Sequence, residues 1–191
     1  MGQQLSRFTG IGTVLMTEII YVDPMPPDVA PEDVIAFLNA HLNHVCGSIE
    51  KYSGIVYQIL GDDVVAFWHP ITSKSNHAQL AFDASRAILD SLPRQPKSME
   101  HFRYFVHIAL GTGQMGGDFF GPIKQLQIVG QAVSIASRIL KAKKFRRCVA
   151  RMSQHTVDSI KTSELLRKAG RIKRGDLEPL RIFAYCPANN G

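Results

Sequence analysis

Two carboxylates stand where a metal-dependent reaction could use them. Glu18 lies in a run rich in β-branched and apolar residues, 12–22, and Asp62 sits in the Gly61-Asp62-Asp63 turn between two further apolar runs. Hard divalent cations such as Mg2+ take oxygen ligands, and a magnesium–triphosphate site needs only one or two carboxylates beside the phosphate oxygens. The same residues have a plainer reading, because acidic residues at hairpin tips are commonly solvated turn formers. Cationic side chains could supply the complementary half of a polyphosphate site. The net charge is +6, concentrated in 141–151 and 167–174. Such segments attract nucleotide polyphosphate, nucleic acid or anionic lipid, or else form solvated helix faces. No stretch interleaves aromatic and basic residues in the way that stacks bases, so nucleic acid is not an expected partner.

Other reactive residue types give weaker signals. Cys46, Cys148 and Cys186 are too few and too scattered for a disulfide framework or a zinc site, and read as reduced thiols of a cytoplasmic protein. His41 and His44 ride on a helix and read as surface or packing residues rather than ligands. Met1-Gly2 with Ser6 fits the short N-myristoylation pattern. No apolar run approaches the roughly 18 residues that span a bilayer, and the first residues lack a secretory layout.

The elements that must position these groups follow from periodicity. A length of 191 residues with 45% hydrophobic and 20% charged residues fits one domain with a sizeable core. Residues 12–22 read as a buried strand, and the proline-rich 23–28 cannot begin as a regular helix. Helical spacing of Val34, Phe37, Leu38, Leu42, Val45 and Ile49 predicts a helix over 34–52. Residues 54–60 and 64–68 flank the Gly61-Asp62-Asp63 turn as a hairpin. A second long helix is expected over 76–92 and a strand over 102–110. The glycine-rich 111–121 should bend or pair as a short strand. A helix over 135–144, a strand over 148–152, a helix over 156–167 and a strand over 180–185 complete the chain. Long helices between hairpin-joined strands predict an α+β layered domain with a mostly antiparallel sheet.

Four segments in order resemble the class III adenylyl/guanylyl (nucleotidyl) cyclase family. VLMTEI at 14–19 resembles its first strand, and GIVYQILGDDVVAF at 54–67 its Gly-Asp hairpin. Residues 108–113 followed by QIVGQAVSIASR at 127–138 resemble its dimerisation-arm strand and Ala-Ser-Arg helix, and KRGDLEPLRIFAY at 173–185 its ending. The resemblance implies a ferredoxin-like domain over 12–187, with 1–11 as lead-in and 188–191 as tail. It further implies a head-to-tail homodimer, or a pair with another cyclase chain, holding ATP or GTP at the interface. Two Mg2+ or Mn2+ ions there activate the ribose 3′-hydroxyl for attack on the α-phosphate. Family members usually sit behind a sensor; nearly all of this chain reads as domain, and no sensor segment is visible in it.

Carried over position by position, the resemblance makes Glu18 and Asp62 the metal residues and Gln58 and Gln127 the purine readers. Ser134 takes the ribose-orienting position, Arg138 the transition-state cation and Arg174 the terminal-phosphate contact. Asp62 and Arg138 match the family, and Arg174 keeps basic character. Glu18 replaces an aspartate, and Ser134 an asparagine. The two glutamines fit either purine, because an amide both donates and accepts. The phosphate-cradling Gly-Phe-Thr segment is replaced by 20–27, whose prolines remove N–H donors. The expectation is a degenerate, weakly active or regulatory dimerising domain in cyclic-nucleotide signalling, with an active divergent adenylate cyclase as the alternative.

Overall fold

The computed structural model describes residues 7–24, 28–71, 76–122, 124–142, 147–174 and 177–187. The prolines at 26 and 27, the myristoylation pattern at 1–6 and the tail at 188–191 lie outside the described residues. Strand β1, Phe8–Tyr21, forms the spine. Its alternation decides two layers. Leu15 and Ile19 pack toward one face, and Val14 and Met16 toward the other. Helix α1, Pro31–Lys51, covers the first face, with proline at its start, Glu32 and Asp33 in its first turn and Lys51 in its last. The hairpin β2, Ile55–Leu60, and β3, Asp63–Trp68, leads to α2, His77–Asp90, on that same face. Asn76 caps α2 by accepting from the amides of Ala78 and Gln79.

The long strand β4, Tyr104–Phe120, pairs with β1 along its whole length and turns back into β5, Gln125–Gly130. Helix α3, Gln131–Lys141, then lies on the opposite face from α1 and α2. Two features of the sequence allow this placement. Gly130 adopts φ 125 where β5 becomes α3, and Gly111 has no side chain where the α3 backbone at Ala132 and Ala136 touches β4. Strand β6, Val149–Ser153, the short helix α4, Gln154–Asp158, and the hairpin β7, Arg167–Arg174, with β8, Leu177–Tyr185, complete the fold. Among the described residues the sheet has eight strands in the order β2-β3-β1-β4-β6-β8-β7, with β5 on β4. Only β4 and β6 run parallel. The run β2-β3-β1-β4 with its two helices on one face is the ferredoxin-like βαββαβ arrangement. The α+β class and the mostly antiparallel sheet are thus as expected.

Three local expectations change. The strand expected over 102–110 and the glycine-rich 111–121, expected to bend or pair as a short strand, form one continuous strand, Tyr104–Phe120, because β1 and β5 pair with it in turn. The helix expected over 156–167 stops at Asp158, because Arg167 onward pairs with β8 instead. The basic segment 167–174 is therefore an edge strand, not a helix face.

Candidate functional site

Glu18 faces the α3 side of the sheet, like Val14 and Met16. Its register partner on β4 is His107, fully buried, and Oε1 lies 3.7 Å from His107 Nδ1. On the next strand, Arg151 is paired with Ala109, whose side chain shares a face with that of His107. Arg151 is only 2% exposed and donates to the Leu140 carbonyl in the last turn of α3, at 3.3 Å. Burial lowers the pKa of its guanidinium, and the negative charge of Glu18 works in the opposite direction. Three adjacent strands thus bring a carboxylate, an imidazole and a guanidinium together beneath the end of α3.

Asp62 lies in the β2–β3 turn, at the same end of β1 as Glu18, since Thr17 pairs with Val64. Its partner is different. Tyr21 donates its hydroxyl to Asp62 Oδ2 at 2.8 Å, and burial together with this carboxylate raises the tyrosine's pKa. Tyr21 packs at a tilt against Phe102, ring centroids 5.6 Å apart, and Phe102 packs with Ile19 and Phe37 on the α1 side of the sheet. The two candidate metal carboxylates are therefore engaged from opposite faces. Nearby on α1, His41 is fully buried, and burial pushes its pKa down to about 4, aided by His44 and opposed by Asp62. His44 Nε2 donates to the Ile88 carbonyl of α2 at 3.0 Å, so both histidines are packing residues. Among the described residues no group of three or more His, Cys, Asp and Glu side chains could hold a metal ion.

The candidate purine readers share one face. A register shift between Val56 and Gln58 inserts Tyr57 as an extra residue, so Gln58 pairs with Val65 and is turned toward the α3 side. Tyr57 packs on that same side and donates its hydroxyl to Gln127 Oε1 at 2.9 Å. One acceptor of Gln127 is thereby used within the chain, while its amide nitrogen keeps its donors. Ser134 and Arg138 are both exposed on α3, four residues apart and so on one stripe, with Ala132, Ile135, Ala136 and Ile139 buried beneath. Arg174 closes β7 opposite Leu177, and its side chain lies outside the described residues.

Four residues around these positions escape motif reading: Tyr21, Tyr57, His107 and Arg151. Arg151 did leave a signal. A lone arginine inside the apolar run Cys148–Met152 must either face solvent or find a counter-charge in the core.

This is the fold of the class III adenylyl and guanylyl cyclase catalytic domains. The adenylyl cyclase CyaB from P. aeruginosa superimposes with a TM-score of 0.76 at 19% identity, covering 97% of this chain and 98% of that one. The guanylate cyclase domain of RhGC from Catenaria anguillulae, solved in complex with GTP, gives 0.76 at 15% identity over 94% and 97%. A rhodopsin-guanylyl cyclase core with converted specificity, in complex with ATPalphaS, gives 0.77 at 16% identity over 94% and 98%. In sequence, Adenylate cyclase 1 of Rhizobium meliloti (strain 1021) is 24% identical over 132 residues, 66% of this chain. The match spans only 20% of that relative's length. No protein-family model matches the chain.

Proposed function

We propose that this chain is a nucleotide cyclase homology domain that dimerises and serves cyclic-nucleotide signalling as a degenerate, weakly active or regulatory module of the cytoplasm. The observation that carries this reading is the separate engagement of the two carboxylates, Glu18 beside buried His107 and Asp62 beneath Tyr21. Two Mg2+ or Mn2+ ions sharing a triphosphate need both carboxylates turned to one place, and misplacement by roughly 1 Å can cost on the order of 100-fold in rate. The donor set does not fit a two-metal centre as it stands. Among the described residues no helix is long and apolar enough to cross a membrane.

The second reading, an active divergent adenylate cyclase, is favoured by Asp62, Arg138 and Arg174, which keep the family's charges. Arg138 remains exposed on α3. In that reading Arg138 offsets charge at the α-phosphate, Arg174 binds the terminal phosphates, and Gln58 and Gln127 contact the purine edge. Dimers of this chain, or a pair with another cyclase chain, would complete the site. The two readings separate on incubation of the purified protein with Mn2+ or Mg2+ and ATP or GTP. The degenerate reading expects cyclic nucleotide near background. Robust formation, abolished by Arg138→Ala or Asp62→Ala, would establish the active one. Stabilisation in a thermal shift with an ATP analogue and metal reports retained binding under either.

A further inference from the structure

We propose that Arg151 is an internal counter-ion that takes the place of a divalent cation at Glu18, leaving Asp62 as the one carboxylate of the site open to metal. The inference rests on the reading of this chain as a cyclase homology domain, and says how its metal site was rebuilt.

All five residues of β6 are buried, and Arg151 among them is 2% exposed. A guanidinium stays charged in proteins, so placing one in a core requires a compensating anion or strong hydrogen bonds. The Leu140 carbonyl accepts one bond, as suits a cation at the C-terminal end of a helix. The carboxylate whose charge reaches Arg151 is Glu18. Register gives that proximity a geometric basis: Glu18 lies across from His107, and Arg151 lies across from Ala109, two residues further along the same face of β4.

Side-chain length makes the same point. Position 18 carries glutamate, and the extra methylene relative to aspartate lengthens the reach across β4 toward β6. The side chain of Glu18 is 18% exposed, and the fully buried imidazole of His107 lies 3.7 Å from it. A divalent ion on this carboxylate would sit close to a buried, permanently charged guanidinium, where repulsion is poorly screened. Asp62 escapes this conflict, because its partner is the neutral hydroxyl of Tyr21. The same contacts tie the end of β1 to the last turn of α3, the helix that carries Ser134 and Arg138.

Mn2+ binding by the full chain, counted by electron paramagnetic resonance without nucleotide, tests the proposal beside the metal-free melting temperature. The wild-type protein should bind at most one Mn2+ per chain, and Glu18→Gln should leave that number unchanged. Glu18→Gln should lower the metal-free melting temperature by about 5 °C or more, because a buried cation loses its counter-charge. Arg151→Met should gain one Mn2+ site, which the double variant Arg151→Met/Glu18→Gln should lose again. A purely structural arginine would not alter metal stoichiometry. Loss of wild-type Mn2+ binding in Glu18→Gln, an unchanged melting temperature in that variant, or a folded Arg151→Met with no added site would each overturn the proposal. If Arg151→Met does not fold, the two Glu18→Gln measurements decide alone. Cyclic-nucleotide formation by the wild-type chain is a separate readout: it would sink the degenerate reading, whereas Mn2+ stoichiometry sinks this one.

Discussion

A histidine buried without a hydrogen-bond partner is costly to charge. Both ring nitrogens of His41 lack one among the described residues, and its pKa falls to about 4. The unfolded chain takes up this proton near pH 6.5, well before the folded one does. The neutral histidine's contribution is therefore complete above about pH 6.5 and is lost progressively as the pH falls toward 4. Its full size over that window is on the order of 3 kcal/mol. Urea midpoints at pH 7 and pH 5 should show His41→Leu losing less stability on acidification than the wild type; equal losses would contradict this assignment. Residue-scale legibility was uneven. Glu18, Asp62 and Arg138 stood in recognisable positions, whereas Tyr57 was hidden because only the bulge in β2 turns it and Gln58 to one face. His107 was hidden, and Arg151 showed only as a lone charge in an apolar run, because the strands that bring them to Glu18 are far apart in the chain.

At the scale of elements, local signals were reliable where the apolar stripe was long. Both major helices and the Gly61-Asp62-Asp63 hairpin could be read from spacing and caps. Strand β5 could not, since Gln125–Gly130 is a short run that runs directly into α3, and pairing with β4 defines it. The end of α4 was misread for a related reason: pairing with β8 takes the chain from Arg167 onward. Two predictions belong here. Asn76→Ala removes the acceptor for the Ala78 and Gln79 amides and should cost about 1 kcal/mol, a melting-temperature drop of about 2–4 °C. Gly111→Val drives side-chain atoms into the α3 backbone at Ala132 and Ala136 and should cost about 2 kcal/mol or more, measured by chemical denaturation. A valine variant as stable as wild type would mean that α3 does not rest on β4 as described.

For the whole molecule, the fold was the most legible feature: the order of elements gave the α+β class, and the family resemblance supplied the ferredoxin-like arrangement. The assembly was less so. Phe119, Phe120 and Val129 are exposed on the β4–β5 arm, and Ile11 is exposed on the neighbouring β1. Apolar groups so displayed suit a protein contact, in keeping with the proposed dimer. Phe120→Asp should weaken self-association by about tenfold or more in sedimentation equilibrium, with little change in melting temperature of the monomer. In the proposed function the cyclase fold is kept while Glu18 and Asp62 are engaged from opposite faces of the sheet. Cyclic-nucleotide formation by the purified chain, at saturating Mn2+ with ATP or GTP, tests it most directly. Product near background, unchanged in Arg138→Ala, is the expected result. Robust turnover that Arg138→Ala abolishes would contradict it.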